Sequence, residues 1–404
     1  MVELINHGVY LLNGTEIRDN YQGMTPDEAR ENTITYGILR SHDVDGGKGN
    51  KMRIRFDAMM SHDITYVGII QTARASGLEE FPLPYAMTNC HNSLCAVGGT
   101  INEDDHVFGL SAAKKYGGIY VPANQAVIHQ YAREMMVKCG NMILGSDSHT
   151  RYGSLGNMGV GEGGGELVKQ LLKNTWDINA PEVVLVWLEG APKKGVGPHD
   201  VAISLVKATF ESGVVKNKVL EFAGPGVKNL PIDFRNGIDI MTTETTCLSS
   251  IWVTDEEVKH HYEIHERPQD YRELKPGDVA YYDMMIRIDL STQESMIALP
   301  FHPSNAVTIH ELQADPVGIL TRIEEDAKKR FGDKVDVHLV DKVVDGKVQA
   351  DQGIIAGCSG GTYDNLAEAG AILKGKNIGN DYFTASAYPQ STPVSMAVTR
   401  EGIT

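Results

Sequence analysis

The chain has 404 residues, 42% hydrophobic and 22% charged, and a formal net charge of −16. That length holds roughly two to three domains of about 100–200 residues each, and the acidity disfavours non-specific contact with nucleic acid or an anionic membrane surface. Five irregularly spaced cysteines without a Cys-x-x-Cys argue against a disulfide framework and for a reducing compartment, with the cytoplasm as the expected location.

The N-terminal MVELINHGVYLLNG lacks the basic leader and apolar core of a signal peptide, and no apolar run approaches the length of a membrane span. The first forty residues read as a strand, a loop and a helix over Pro26–Leu39, with Thr25 as its N-cap. Ser41–Lys51 is a polar loop. Asp57–Ala75 carries apolar residues at helical spacing and stops at Gly77. Phe81–Thr88 is extended, and Cys90–Thr100 is the loop after it. Helices are predicted over Asp105–Lys115 and Ala126–Met136, and strands over Gly117–Pro122 and Asn141–Gly145. Such alternation implies a parallel sheet with helices on its faces.

A helix follows over Gly165–Asn174 and a strand over Val183–Leu188. The segment APKKGVGP, 191–198, reads as a crossing between domains. Asp200–Glu211 is a predicted helix, Lys218–Phe222 a strand, Gly237–Ser249 a helix weakened by its threonines, and Asp255–Pro276 a charged, exposed stretch. Strand patterns return from Val279 to Ala298. A helix begins near Pro316, and Val335–Gln349 reads as a hairpin with Asp345-Gly346 at its tip. Ile354 and Ile355 lead through Cys358 into a helix.

The richest stretch is ILGSDSHTRYGSLGNMGVGEGGGE, 143–166. An apolar strand end runs into Asp147, Ser148 and His149, and then into a ladder of glycines at 153, 156, 159, 161, 163, 164 and 165. A strand that ends this way sets proton-carrying side chains at a sheet edge, where backbone can approach a small ligand. An Asp beside an apolar strand needs a hydrogen-bond partner, and His129 in AVIHQYA is the candidate. A carboxylate that fixes an imidazole's tautomer makes a general acid or base. Gly159-x-Gly161-x-x-Gly164 matches a dinucleotide fingerprint only formally, because Asp147 to Met158 separates it from the preceding strand. Cys358 in AGCSGG stands before a helix, where a thiolate is stabilised, so it reads as a nucleophile, a metal ligand or a small buried hydrophobe. Cys90 and Cys95 flank His91 in a loop that matches no common zinc spacing.

Taken together, these segments resemble the aconitase family of iron–sulfur hydro-lyases. GSDSHT with its glycines resembles that family's Gly-Thr-Asp-Ser-His-Thr segment. KVLEFAGPGVKNLPIDFRNGIDIMTTE, 218–244, resembles its Gly-Pro-Gly stretch and downstream glutamate, and AGCSGGTYDN resembles the segment that carries the first cluster cysteine. The resemblance implies catalytic pairs His129–Asp147 and His149–Glu244, contact of Ser148 with a substrate carboxylate, and Cys358 as an iron ligand. It places the family's substrate-binding glutamine at Gln71 with a one-residue offset, or at Thr72 in strict register. It sets Asn92 and Ser93 where the family has an Asp-His pair, with His91 adjacent as a substitute. The family's asparagine before the glutamate falls on Ile240, and Ser359-Gly360-Gly361 replaces Thr-Asn-Ser after the cluster cysteine.

The implied fold is α/β, in three-layer α-β-α units with mainly parallel sheets: 1–192, 193–315 and a partial third, 316–404, that carries Cys358. The implied activity is hydration or dehydration of a small di- or tricarboxylate hydroxy acid. The alternative is an inactive relative that binds a ligand or partner. The family's 4Fe–4S cluster needs two further cysteines, in a Cys-x-x-Cys that would lie beyond Thr404, as would a C-terminal swivel domain or subunit. On its own, this chain is expected to be inactive.

Overall fold

The computed structural model describes residues 2–47, 49–91 and 100–404. Two five-stranded sheets form its centre. In the first, the strands run in the spatial order Ile119–Val121, Tyr85–Thr88, Ala58–His62, Met142–Gly145 and Met158–Gly161. Every neighbouring pair is parallel. The helices Tyr66–Ala75, Ile101–Tyr116 and Ile128–Met135 connect the first four in turn. Strand order therefore reverses between Ala58–His62 and Met142–Gly145. In open parallel sheets, ligands bind beyond the carboxyl ends of the strands at such a reversal.

In the second sheet the order is Val2–Ile5, Met284–Asp289, Val183–Glu189, Val219–Ala223 and Ser249–Trp252. Only Val2–Ile5, at the edge, is antiparallel. Parallel strands covered on both faces need continuous apolar sequence, and in VVLVWLE all but the last residue are buried. The two sheets are stitched together by Ser249, whose Oγ donates to the carbonyl of Gly159 at 2.7 Å. A smaller unit pairs Gln352–Ile355 with Thr384–Ala387 in parallel, over a core of Leu366, Val394 and Val398.

The α/β class and its parallel sheets agree with the sequence expectation, and several elements do not. Asp57–Ala75 is not one helix. Ala58–His62 is a fully buried central strand, and the helix begins only at Tyr66. A short apolar run of this kind fits either period, and burial on both faces decides for the strand. Thr25 caps its helix with a reciprocal box to Glu28, as expected, but that helix ends at Arg30. A second cap, Thr33, starts Ile34–His42. The helix expected over Gly237–Ser249 lies instead at Ile232–Met241, followed by a 3-10 turn, Thr242–Thr245, and the strand Ser249–Trp252. Within 255–276, the helix Glu256–Ile264 buries Val258, His261 and Tyr262, so that stretch is not simply exposed. The hairpin at Asp345-Gly346 is only two residues per strand.

Candidate active site at the carboxyl ends of the first sheet

Strand Met142–Gly145 delivers Asp147, Ser148 and His149 to the reversal point. Their turn is closed by Thr150, whose backbone N–H and Oγ1 both donate to the carbonyl of Asp147, at 3.1 and 2.7 Å. The glycines beside it serve close packing. A Cβ on Gly161 would sit 2.4 Å from the Asp147 carbonyl oxygen, and one on Gly145 would sit 2.1 Å from Thr150 Oγ1.

Asp147 is the hub. Its Oδ1 accepts from His129 Nε2 at 2.9 Å and from the backbone N–H of His149 at 2.8 Å. The other ring nitrogen of His129 meets the buried Tyr152 hydroxyl at 3.1 Å. His149 Nε2 reaches Glu244 Oε1 at 3.2 Å. Glu244 sits on the 3-10 turn that leads into the second sheet, and neighbouring Thr243 donates its hydroxyl to the Ser148 carbonyl at 2.6 Å. Both pairs read from the sequence, His129–Asp147 and His149–Glu244, are formed.

Two further imidazoles converge on the same carboxylate. His62 Nε2 and His91 Nε2 each lie 3.6 Å from Asp147 Oδ2, an ion-pair separation rather than a hydrogen bond. Asp63, fully buried, accepts from the His91 backbone N–H at 3.0 Å and faces His106 Nε2 at 3.4 Å. On the far side, His302 Nε2 is 3.8 Å from Glu244 Oε2, and its ring stacks on Phe210.

These environments divide the imidazoles into two kinds. Burial pushes His129 down to about 4 despite its bond to Asp147. Burial, and then the neighbouring His91, push His62 down to about 4. Pairing with Asp147, and then with Glu244, lifts His149 to about 9. Pairing with Asp147, and then with Cys90, lifts His91 to about 10. Burial opposes ionisation of Asp147, but His129, His149 and His91 outweigh it and hold the carboxyl far below the usual range. Near neutrality the centre holds two buried neutral rings and two half-open protonated ones, an arrangement suited to separate acid and positioning roles.

Of the other residues read from the sequence, Ser148 is exposed beside this centre. Gln71 and Thr72 lie exposed on the helix Tyr66–Ala75, and Thr72 bonds its own helix at the Gly68 carbonyl. Neither makes a hydrogen bond or ion pair with the cluster among the described residues. Asn92 and Ser93 lie outside the described residues. Sequence reasoning missed His62, Asp63 and Tyr152. Ser61-His62-Asp63 ends an apolar run in polar, proton-carrying residues just as Ser146-Asp147-Ser148-His149 does, and that parallel was the available signal.

Cys358 lies on the short helix Gly357–Gly360, whose Cys358 carbonyl accepts from the buried Arg133 at 3.3 Å. Burial pushes its thiol up to about 11, with Asp147 and Cys90 adding to the rise and Arg133 opposing it. Cys139 and Cys247 are buried, and Cys90 Sγ contacts His91 Nδ1 at 3.3 Å. The described thiols thus fit one ligand position of a cluster and do not make a complete set.

A family model described as "Aconitase family (aconitate hydratase)" matches residues 36–404. Similar proteins include a 3-isopropylmalate dehydratase large subunit of Elusimicrobium minutum, 27% identical over 72% of this chain and 62% of that protein. Others are the mitochondrial aconitate hydratase of Schizosaccharomyces pombe, 25% identical over 97% of this chain and 49% of that protein, and a 3-isopropylmalate dehydratase large subunit 1 of Thermotoga maritima, 26% identical over 67% and 65%. The chain therefore spans between 49% and 65% of the length of these relatives.

Proposed function

The chain belongs to the aconitase family of hydro-lyases, and from that premise we propose that it takes part in hydrating or dehydrating a small di- or tricarboxylate hydroxy acid in a reducing compartment such as the cytoplasm. The observation that carries this reading is His149, held between Asp147 and Glu244 at the strand-order reversal.

Dehydration moves the proton beside a carboxylate to a base, assigned here to the swivel domain or separate subunit, and breaks the C–O bond to the hydroxyl. His149, lifted to about 9, is protonated at neutral pH and gives its proton to the leaving oxygen, which departs as water. Glu244 and Asp147 keep that ring charged and oriented. His129 fixes Asp147 from behind, with Tyr152 fixing His129 in turn. Ser148, exposed at the same edge, is placed to donate to a substrate carboxylate. Full-length family members imply a 4Fe–4S cluster, which supplies Lewis-acid assistance to the hydroxyl when bound, and Cys358 is assigned here as one of its ligands.

We assign three parts to the chain: 1–192, 193–315 and 316–404. The remaining substrate and cluster contacts are taken to come from a swivel domain or separate subunit. The relatives' greater length supports such a partner. A second reading, a ligand-binding relative without turnover, rests on Asn92 and Ser93 standing where the family has an Asp-His pair.

One assay separates the two. The full-length form, with its swivel domain or subunit, is reconstituted anaerobically with iron and sulfide and offered a panel of unsaturated di- and tricarboxylic acids, and loss of the double bond is followed by ultraviolet absorbance. Turnover of one acid, abolished by His149→Ala, supports the hydro-lyase. Thermal stabilisation by an acid without turnover supports the binding protein. Neither turnover nor stabilisation across the panel would rule out both.

A further inference from the structure

His62 and Asp63 end the central strand Ala58–His62, and His91 follows the adjacent strand Tyr85–Thr88. The parallel pairing of these strands sets His62 opposite Thr88, three residues before His91. Each of the three residues offers a ligand atom, and these atoms all lie within 4.8 Å of one another. No zinc-like spacing marks these residues because they come from the ends of two strands, not from one loop.

We propose that His62, Asp63 and His91 bind a first-row divalent cation of the Zn²⁺ type. The strongest observation is His62 itself. It is 6% exposed, and its Nδ1 is buried with no hydrogen-bond partner among the described residues. Its Nε2 reaches nothing closer than the 3.6 Å contact to Asp147 Oδ2 among the described residues. Buried imidazole nitrogens normally have partners, and a ring left this way has lone-pair capacity to spend on a ligand bond.

The surroundings fit a cation as well. The His62 and His91 rings pack with centroids 3.9 Å apart, and Asp147 Oδ2 lies 3.6 Å from the Nε2 of both. Together with Asp63, that places two carboxylates beside two imidazoles, so a doubly charged ion would be neutralised. The outer contacts are of the kind that steer metal ligands: His106 and the His91 backbone hold Asp63, and Cys90 Sγ faces His91 Nδ1 at 3.3 Å. Two imidazoles and a carboxylate suit zinc or ferrous iron rather than magnesium or calcium, which favour all-oxygen shells. Bonds of about 2.1 Å need donor atoms roughly 3.4 Å apart. The half-open His91, 35% exposed, can turn to close that gap.

Cation binding at His62, Asp63 and His91 is read without turnover, by direct titration. The full chain is stripped with chelator, then titrated with Zn²⁺ by calorimetry and with Co²⁺ as a spectroscopic probe. One equivalent is expected to bind in the wild type and in Cys358→Ser, with a cobalt spectrum that lacks a thiolate charge-transfer band. His62→Gln and His91→Gln should each weaken binding by about 10-fold or more. His91→Gln decides alone if circular dichroism shows that His62→Gln has unfolded. No bound equivalent, undiminished affinity in His91→Gln, or loss of binding in Cys358→Ser would each overturn the proposal.

Discussion

The bond between His149 Nε2 and Glu244 Oε1, 3.2 Å long, joins residues 95 positions apart and ties the edge of one sheet to the approach of the other. Glu244 is itself held below its ordinary range, chiefly by this bond. The pair is therefore an imidazolium and a carboxylate, half-exposed, facing the space at the strand-order reversal.

Replacing Glu244 by Gln removes the second of the two causes that lift His149 to about 9. Its ring should then lose its proton at a lower pH, so fewer molecules hold the acid form in mildly alkaline solution. The alkaline limb of the pH–rate profile should move to lower pH, and turnover at pH 8 should fall by up to about 30-fold, the loss of protonated ring if His149 returned fully to its ordinary value of about 6.5. A histidine NMR titration reads the same shift without any need for turnover. An unmoved His149 resonance would count against the pairing.

Asp147→Asn tests the hub. The Asp147 carboxyl lies far below its ordinary range when folded. A group lowered by folding contributes stability that is present above its unfolded value, about 3.9, and that is lost as pH falls through the folded one. The mutant should be less stable than wild type by about 1.5–3 kcal/mol at pH 7, the scale of a charged hydrogen bond, with a gap that narrows in acid. Urea denaturation at pH 7 and pH 3, the latter below the unfolded value, measures both ends. An equal gap at the two values would mean that charge has no part in it.

The Asp-Ser-His turn and the α/β class were legible because each rests on local pattern: an apolar strand end, polar residues, then glycine. The His149–Glu244 pair, 95 residues apart, was implied only by the family resemblance. What stayed hidden rests on tertiary context. Ala58–His62 reads as helix from its spacing and becomes a strand only because neighbours bury both its faces. With it went His62 and Asp63. The break at Thr33 depends on Glu221, a buried carboxylate 187 residues away that accepts from the backbone N–H of Ile34 at 3.1 Å. No window of sequence shows such a contact.

The glycine ladder serves two different ends, and paired substitutions should tell them apart. At Gly161 a Cβ would press on the Asp147 carbonyl oxygen at 2.4 Å and on Ser148 Cα at 3.0 Å. Backbone cannot yield cheaply, so Gly161→Ala should cost about 1–3 kcal/mol and displace the catalytic turn. Gly165, in the first turn of Gly164–Leu171, has nothing within 4 Å of its Cβ position. Gly165→Ala should leave the site intact and raise stability by up to about 1 kcal/mol through helix propensity. Melting temperatures of the two variants are the measurement. Equal effects would mean that the ladder is no more than a flexible loop.

Asp364 offers a test of pH dependence away from the centre. It lies in the first turn of the helix Tyr363–Leu373, a place that ordinarily favours an anion. Burial nonetheless raises it to about 6, with repulsion from Asp233 and then Glu368 adding to the rise, while its own N–H donates to Asp233 Oδ2 at 3.2 Å. A group raised by folding contributes stability that is fully present below its unfolded value and lost as pH rises through the folded one. From about pH 4 to pH 6, then, this carboxyl should draw stability out of the fold. Asp364→Asn keeps the shape and removes the charge. It should melt higher than wild type at pH 7 and almost level with it at pH 4. A gain of the same size at both pH values would show that ionisation of Asp364 is not its source.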